Sequence, residues 1–191
     1  MIRFIAPAEP DNFEEKARTP GNAWLAAHST GRPTDFWTAF KKELADGFND
    51  LCAYTVMYEP VGTVDHYLSC DNHREKAYEW SNYRFCSGWI NSSKRTQDNK
   101  VLDPFQIEDG WFEIILPSLQ LVMTDAVPDQ EKARAKYTLT RLHLRDDERV
   151  IRQRREWYRM YQDGELTLAG LEKKAPLIAR AVRKQLVAVH T

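Results

Sequence analysis

Apolar residues recur at helical spacing from Asp35 to Cys52, where Phe36, Phe40, Leu44, Phe48 and Leu51 share one face behind Thr34 as a cap. The spacing predicts one core-facing helix there. From Thr55 to about Phe112 the periodicity breaks into short β-like runs, Thr63 to Tyr67 and Trp111 to Leu116, set among Asn, Ser, Asp and Pro. After Pro128 the period returns to helical. Three helices are predicted: Asp129 to Leu144, Asp147 to Gln162 closed by Asp163-Gly164, and a last one after Pro176 through Val187. No repeat or long linker interrupts the pattern, so residues 1–191 are read as a single α+β domain.

Composition narrows the class. With 191 residues, 42% hydrophobic and 12% aromatic, the chain can bury a core, and collagen-like or low-complexity readings are excluded. Cys52, Cys70 and Cys86 form no disulfide framework, which points to a reducing compartment. No stretch approaches the roughly 18 apolar residues of a membrane span, and MIRFIAPAEP lacks the features of a signal peptide. A cytoplasmic protein without membrane contact is the expectation.

Total charge is nearly balanced, 27 Lys+Arg against 28 Asp+Glu, but its distribution is not. Residues 1–130 carry 12 basic and 20 acidic side chains, a net of −8; residues 131–191 carry 15 and 8, a net of +7. A uniformly basic nucleic-acid coat is excluded. The arginines at 149, 152, 154, 155 and 159 either solvate helix faces or meet phosphate, and the former is the simpler reading.

The residues suited to chemistry lie between Cys52 and Phe112: Val64-Asp65-His66-Tyr67, Tyr78-Glu79-Trp80-Ser81-Asn82-Tyr83, Ile90-Asn91-Ser92-Ser93-Lys94 and Leu102-Asp103-Pro104-Phe105. Hydrolysis at phosphate needs a base that is neutral near physiological pH, a hard cation on the scissile oxygen, and groups that hold both. His66 is the candidate base and Asp65 a candidate metal ligand. Asn82 can hold the imidazole or its loop, and Asn91 can give a neutral oxygen ligand at the start of a short helix. Lys94, one turn later, is placed to reach a phosphate, with Arg84 and Arg95 as further nucleic-acid contacts.

The order Asp-His, Trp-Ser-Asn, Asn-x-x-Lys, Leu-Asp-Pro-Phe resembles HNH endonucleases, and within them the HNH component of Septu-type and retron-associated antiphage systems. The resemblance covers residues 50–115. It implies a ββα-metal core embedded in a mostly helical domain, with strands near Thr63 to Tyr67 and Tyr83 to Cys86 and a helix from about Ile90. It also implies a nuclease acting on DNA with Mg²⁺ or Mn²⁺ beside an ATPase subunit. Members of that family carry two Cys-x-x-Cys pairs around a structural zinc; here Thr55 and Trp89 stand where the partners of Cys52 and Cys86 would be. No structural zinc is therefore expected, and packing of Tyr54, Trp80, Phe85 and Trp89 is expected in its place. The missing thiolates also motivate a second reading, an HNH fold kept as a binding or assembly subunit. A phosphodiesterase acting on RNA or nucleotides is a third.

Overall fold

The computed structural model describes residues 1–189 and is α+β. A π-helical turn, Glu14–Arg18, runs into α1 (Thr19–Ala27), a helix not anticipated because Pro20-Gly21 reads as a turn and its Ala, Trp and Leu residues fall at no clear helical period. The helix expected from Asp35 to Cys52 is much shorter: a 3-10 turn Trp37–Phe40 leads into α2 (Lys41–Gly47). Asp35 rather than Thr34 steadies the start of the turn, its carboxylate accepting from the Thr38 backbone N–H at 3.0 Å and the Thr38 hydroxyl at 2.8 Å. Asn49 and Asp50, with φ of 54° and 55°, turn the chain left-handed and end the helical run. Phe48 and Leu51 still reach the core, which explains why the apolar pattern outlasts the helix.

A compact ββα unit follows. Strand β1 (Thr63–His66) pairs antiparallel with β2 (Tyr83–Cys86) in the register Thr63↔Cys86, Val64↔Phe85, Asp65↔Arg84, His66↔Tyr83. Helix α3 (Gly88–Lys94) leaves β2 after one residue and packs on β1. Gly62 leads into β1 because a Cβ there would lie 2.1 Å from the Phe85 ring. A second hairpin pairs β3 (Phe112–Ile115) with β4 (Gln120–Met123); only β3 was anticipated.

Helices α4 (Asp129–Arg141) and α5 (Glu148–Gln162) match the periodic segments, and the Asp147 side chain caps α5 by accepting from the Arg149 N–H. Helix α6 (Leu168–Lys174), too short to show a period, precedes α7 (Pro176–Val189), which packs on α6 and β3. One core joins all these elements, with Phe13 edge-on to Phe40, Trp80 and Tyr83 at 5.0 to 5.9 Å. Tyr54, Trp80 and Phe85 are buried as expected, and half-buried Trp89 lies under the Arg149 guanidinium at 4.4 Å. Among the described residues no helix is long and apolar enough to cross a membrane.

The basic C-terminal part is largely paired within itself. Arg149 bonds Asp147, Arg152 lies 3.7 Å from Glu148, and Arg159 reaches Glu156, Asp163 and Glu165. Arg154 points inward, donating to the carbonyls of Leu119, Leu144 and Arg145, and burial lowers its pKa to about 10. Most of these arginines thus serve helix faces or the core.

Candidate active site

The ββα unit forms one side of a cleft of about 910 Å³. His66, Asp65 and Asn91 line it from β1 and α3; Trp37 and the Ser29–Pro33 segment line it from the N-terminal part. Alternation along β1 sends Asp65 and His66 to opposite faces. His66 shares its face with Tyr83, whose ring is 5.0 Å away, and Trp37 closes edge-on at 4.5 Å. Nε2 of His66 lies 2.9 Å from the Ala77 carbonyl. A carbonyl only accepts, so Nε2 carries the proton and Nδ1 keeps the lone pair. Burial is the largest influence on this imidazole and lowers its pKa below the usual 6.5, against the raising effects of the Ala77 bond and Asp65. The ring is a neutral base at physiological pH.

Asn82 acts on the loop and does not touch the imidazole. Its Oδ1 accepts from the Leu68 N–H at 2.8 Å, and its Nδ2 donates to the carbonyls of Leu68 and Lys76 at 2.9 and 3.1 Å. The Tyr83 hydroxyl donates to the Ala77 carbonyl at 2.7 Å. Asn82 and Tyr83 therefore fix the peptide that orients His66. Of the two roles open to Asn82 and grouped with the catalytic His66, holding the imidazole or holding its loop, the structure shows the second, a positioning role.

Asp65, expected as a metal ligand, is enclosed. Tyr54 donates its hydroxyl to Oδ2 at 2.7 Å, and the Lys94 ammonium donates to Oδ1 at 3.0 Å. Both side chains of the ion pair are essentially inaccessible, at 0% for Lys94 and 2% for Asp65. The other two ammonium protons go to the carbonyls of His66 and Tyr67 at 2.8 and 2.9 Å, which leaves none for a phosphate. Lys94 is thus misassigned as a nucleic-acid contact; a lysine at a helix end reads as solvated, and here its four-carbon stem carries the charge inward. Asn91 donates from Nδ2 to the Val64 carbonyl at 3.3 Å, binding α3 to β1.

Arg84 also leaves the expected role. Buried opposite Asp65, it forms a two-pronged pair with Asp103 at 2.8 Å for both bonds, donates to the carbonyls of Ser81 and Tyr83, and stacks 3.6 Å from the Phe105 ring. Asp103 in turn accepts from the Phe105 N–H, so Asp-Pro is a turn fastened to β2. Of the three predicted nucleic-acid contacts only Arg95 is exposed on the cleft.

The far wall had no signal in the sequence. Arg74 donates to the carbonyls of Gly31, His28 and Thr30 at 2.5 to 3.3 Å and lies 5.1 Å from the Trp24 ring. This one guanidinium holds the 28–31 segment, more than 40 residues away, across from β1. Arg32, just after that segment, and Arg95 line the cleft and form no ion pair among the described residues. The half-buried Cys70 thiol is pushed up to about 11 by burial and by Asp71, so it is no nucleophile at neutral pH.

The donor set does not fit a divalent cation on Asp65 and Asn91: both Asp65 oxygens are engaged, and an ammonium already neutralises the carboxylate. Nor does any group of three or more His, Cys, Asp or Glu side chains among the described residues converge as a metal site. Buried Cys52 and Cys86 are free thiols, and burial raises the latter's pKa. No protein-family model matches the chain, and no curated protein matches it.

Proposed function

We propose that this chain is a phosphodiester hydrolase of the HNH type, acting on DNA, with His66 as the general base. The observation that supports it most is the His66 tautomer: Nε2 is committed to Ala77, Nδ1 keeps its lone pair, and burial holds the ring neutral beside an open cleft. Nδ1 takes a proton from water, the resulting hydroxide attacks phosphorus, and the P–O bond to the leaving oxygen breaks. Arg32 and Arg95 supply cationic hydrogen-bond donors for the phosphate. The resemblance adds an ATPase subunit as partner, tested by co-purification of the two proteins.

The deciding experiment is nicking of supercoiled plasmid by the purified chain, alone and with that subunit, against His66→Gln. Nicking that disappears in the folded variant supports the hydrolase. Equal nicking by both removes His66 from the mechanism.

The second reading, a binding or assembly subunit on the same fold, is favoured by the internal use of Asp65, Lys94 and Arg84. It predicts substrate-independent association with the partner and no hydrolysis under any condition.

A further inference from the structure

The buried end of Lys94 resembles a cation site that is already filled. One carboxylate oxygen and two backbone carbonyls, from Asp65, His66 and Tyr67, surround the ammonium at 2.8 to 3.0 Å. Those are the hard oxygen donors that Mg²⁺ or Mn²⁺ takes. Three accepting oxygens match the three ammonium protons, so the charge is fully satisfied. Tyr54 occupies the second carboxylate oxygen, and the pair is almost wholly shielded from solvent. A divalent ion could bind Asp65 only by displacing the ammonium within the same buried space, where two cations repel strongly.

We infer that the His66 site works without a bound divalent cation, because the Lys94 side chain permanently occupies the oxygen cage that Asp65 and the β1 end provide. This rests on the hydrolase reading and departs from the metal dependence that the family resemblance implies. The ammonium is not in contact with substrate. It holds β1, and so His66, by charge and hydrogen bonds from beneath. Positive charge at the phosphate comes instead from the cleft guanidiniums, Arg32 and Arg95, which form no internal ion pair among the described residues. In the reaction, water gives one proton to Nδ1 of His66 and its oxygen to phosphorus; the departing oxygen takes a proton from solvent, and the imidazolium returns its proton to solvent. No oxidant, reductant or metal-bound species is needed.

Two measurements on the full chain test this. Mn²⁺ binding is followed by calorimetry and by the thermal midpoint, for wild type, Asp65→Asn and Lys94→Met. Wild type is expected to bind no Mn²⁺ in an Asp65-dependent manner and to shift its midpoint by less than about 1 °C at millimolar Mn²⁺. Lys94→Met, with Asp65 unmasked, is expected to gain Mn²⁺-dependent stability. Mn²⁺ binding to wild type that Asp65→Asn removes overturns the inference, and this comparison stands even if Lys94→Met fails to fold. In parallel, plasmid nicking is measured in EDTA and in Mg²⁺. Rates equal within about twofold support the inference. Nicking only with added metal overturns it while leaving the hydrolase reading intact. An absence of nicking in both, also with the ATPase subunit added, defeats the hydrolase reading, and Mn²⁺ binding then still decides whether the cage is closed to metal.

Discussion

The imidazole Nε2 of His66 lies 2.9 Å from the carbonyl oxygen of Ala77, and that single bond decides which nitrogen is basic. The carbonyl belongs to a loop fixed from both sides, by the Tyr83 hydroxyl on Ala77 itself and by the Asn82 amide on Lys76. Orientation of the base is thus a property of the β1 to β2 connection.

His66 makes stability fall on the acid side of neutrality. Its folded pKa is lowered, so between that value and the unfolded 6.5 the unfolded chain binds more protons and stability rises with pH. The contribution is constant above about 6.5 and is lost as pH falls toward the folded value. Urea midpoints of wild type and His66→Gln, compared from pH 8 downward, should converge below about 6.5 as the wild type loses its advantage. Parallel curves across that window contradict this.

The Asp65–Lys94 pair should be costly to break from one side. Lys94→Met leaves a buried carboxylate and Asp65→Asn a buried ammonium, each expected to cost about 3–5 kcal/mol. The double variant should cost less than the two together, with a coupling of about 1–3 kcal/mol in a double-mutant cycle by chemical denaturation. Strict additivity would mean the two charges do not depend on each other.

Arg74 is expected to govern the cleft rather than the chemistry. Arg74→Ala releases three carbonyls of the 28–31 segment, so the segment should become sensitive to a nonspecific protease and KM should rise severalfold, with kcat changed by less than about threefold. An unchanged KM with a large fall in kcat would place Arg74 in the reaction itself.

Asn82→Ala removes three hydrogen bonds that hold the connection. The part-buried Leu68 N–H and carbonyl lose their partner, while the Lys76 carbonyl still accepts from the Glu79 N–H, so a loss of about 1–3 kcal/mol is expected by urea denaturation. A loss below about 0.5 kcal/mol would show that the loop holds itself.

The first strand of the ββα unit was readable because its signal is local. The β-like run at 63–67 carries such a signal; the second strand at 83–86 and the helix, expected from about Ile90 and observed from Gly88, were expected from the family resemblance. The roles of its charged residues were not readable. Lys94 and Arg84 look solvated in sequence, yet each meets a carboxylate, Asp65 or Asp103, that lies 29 or 19 residues away, and only tertiary packing brings them together. The far wall shows the same limit: nothing near Arg74 indicates that its partners are His28 to Gly31. Likewise the apolar period through Phe48 and Leu51 recorded burial correctly but not conformation, because left-handed Asn49 and Asp50 place those side chains in the core without a helix.

The most direct test of His66 as the base is to follow two quantities in one sample across pH: the His66 ring proton by NMR and kcat/KM for DNA cleavage. The account predicts that the acid limb of the rate coincides with the His66 titration, both with a midpoint below 6.5. A rate that is flat while His66 titrates, or an acid limb at a different pH that persists in His66→Gln, would contradict it.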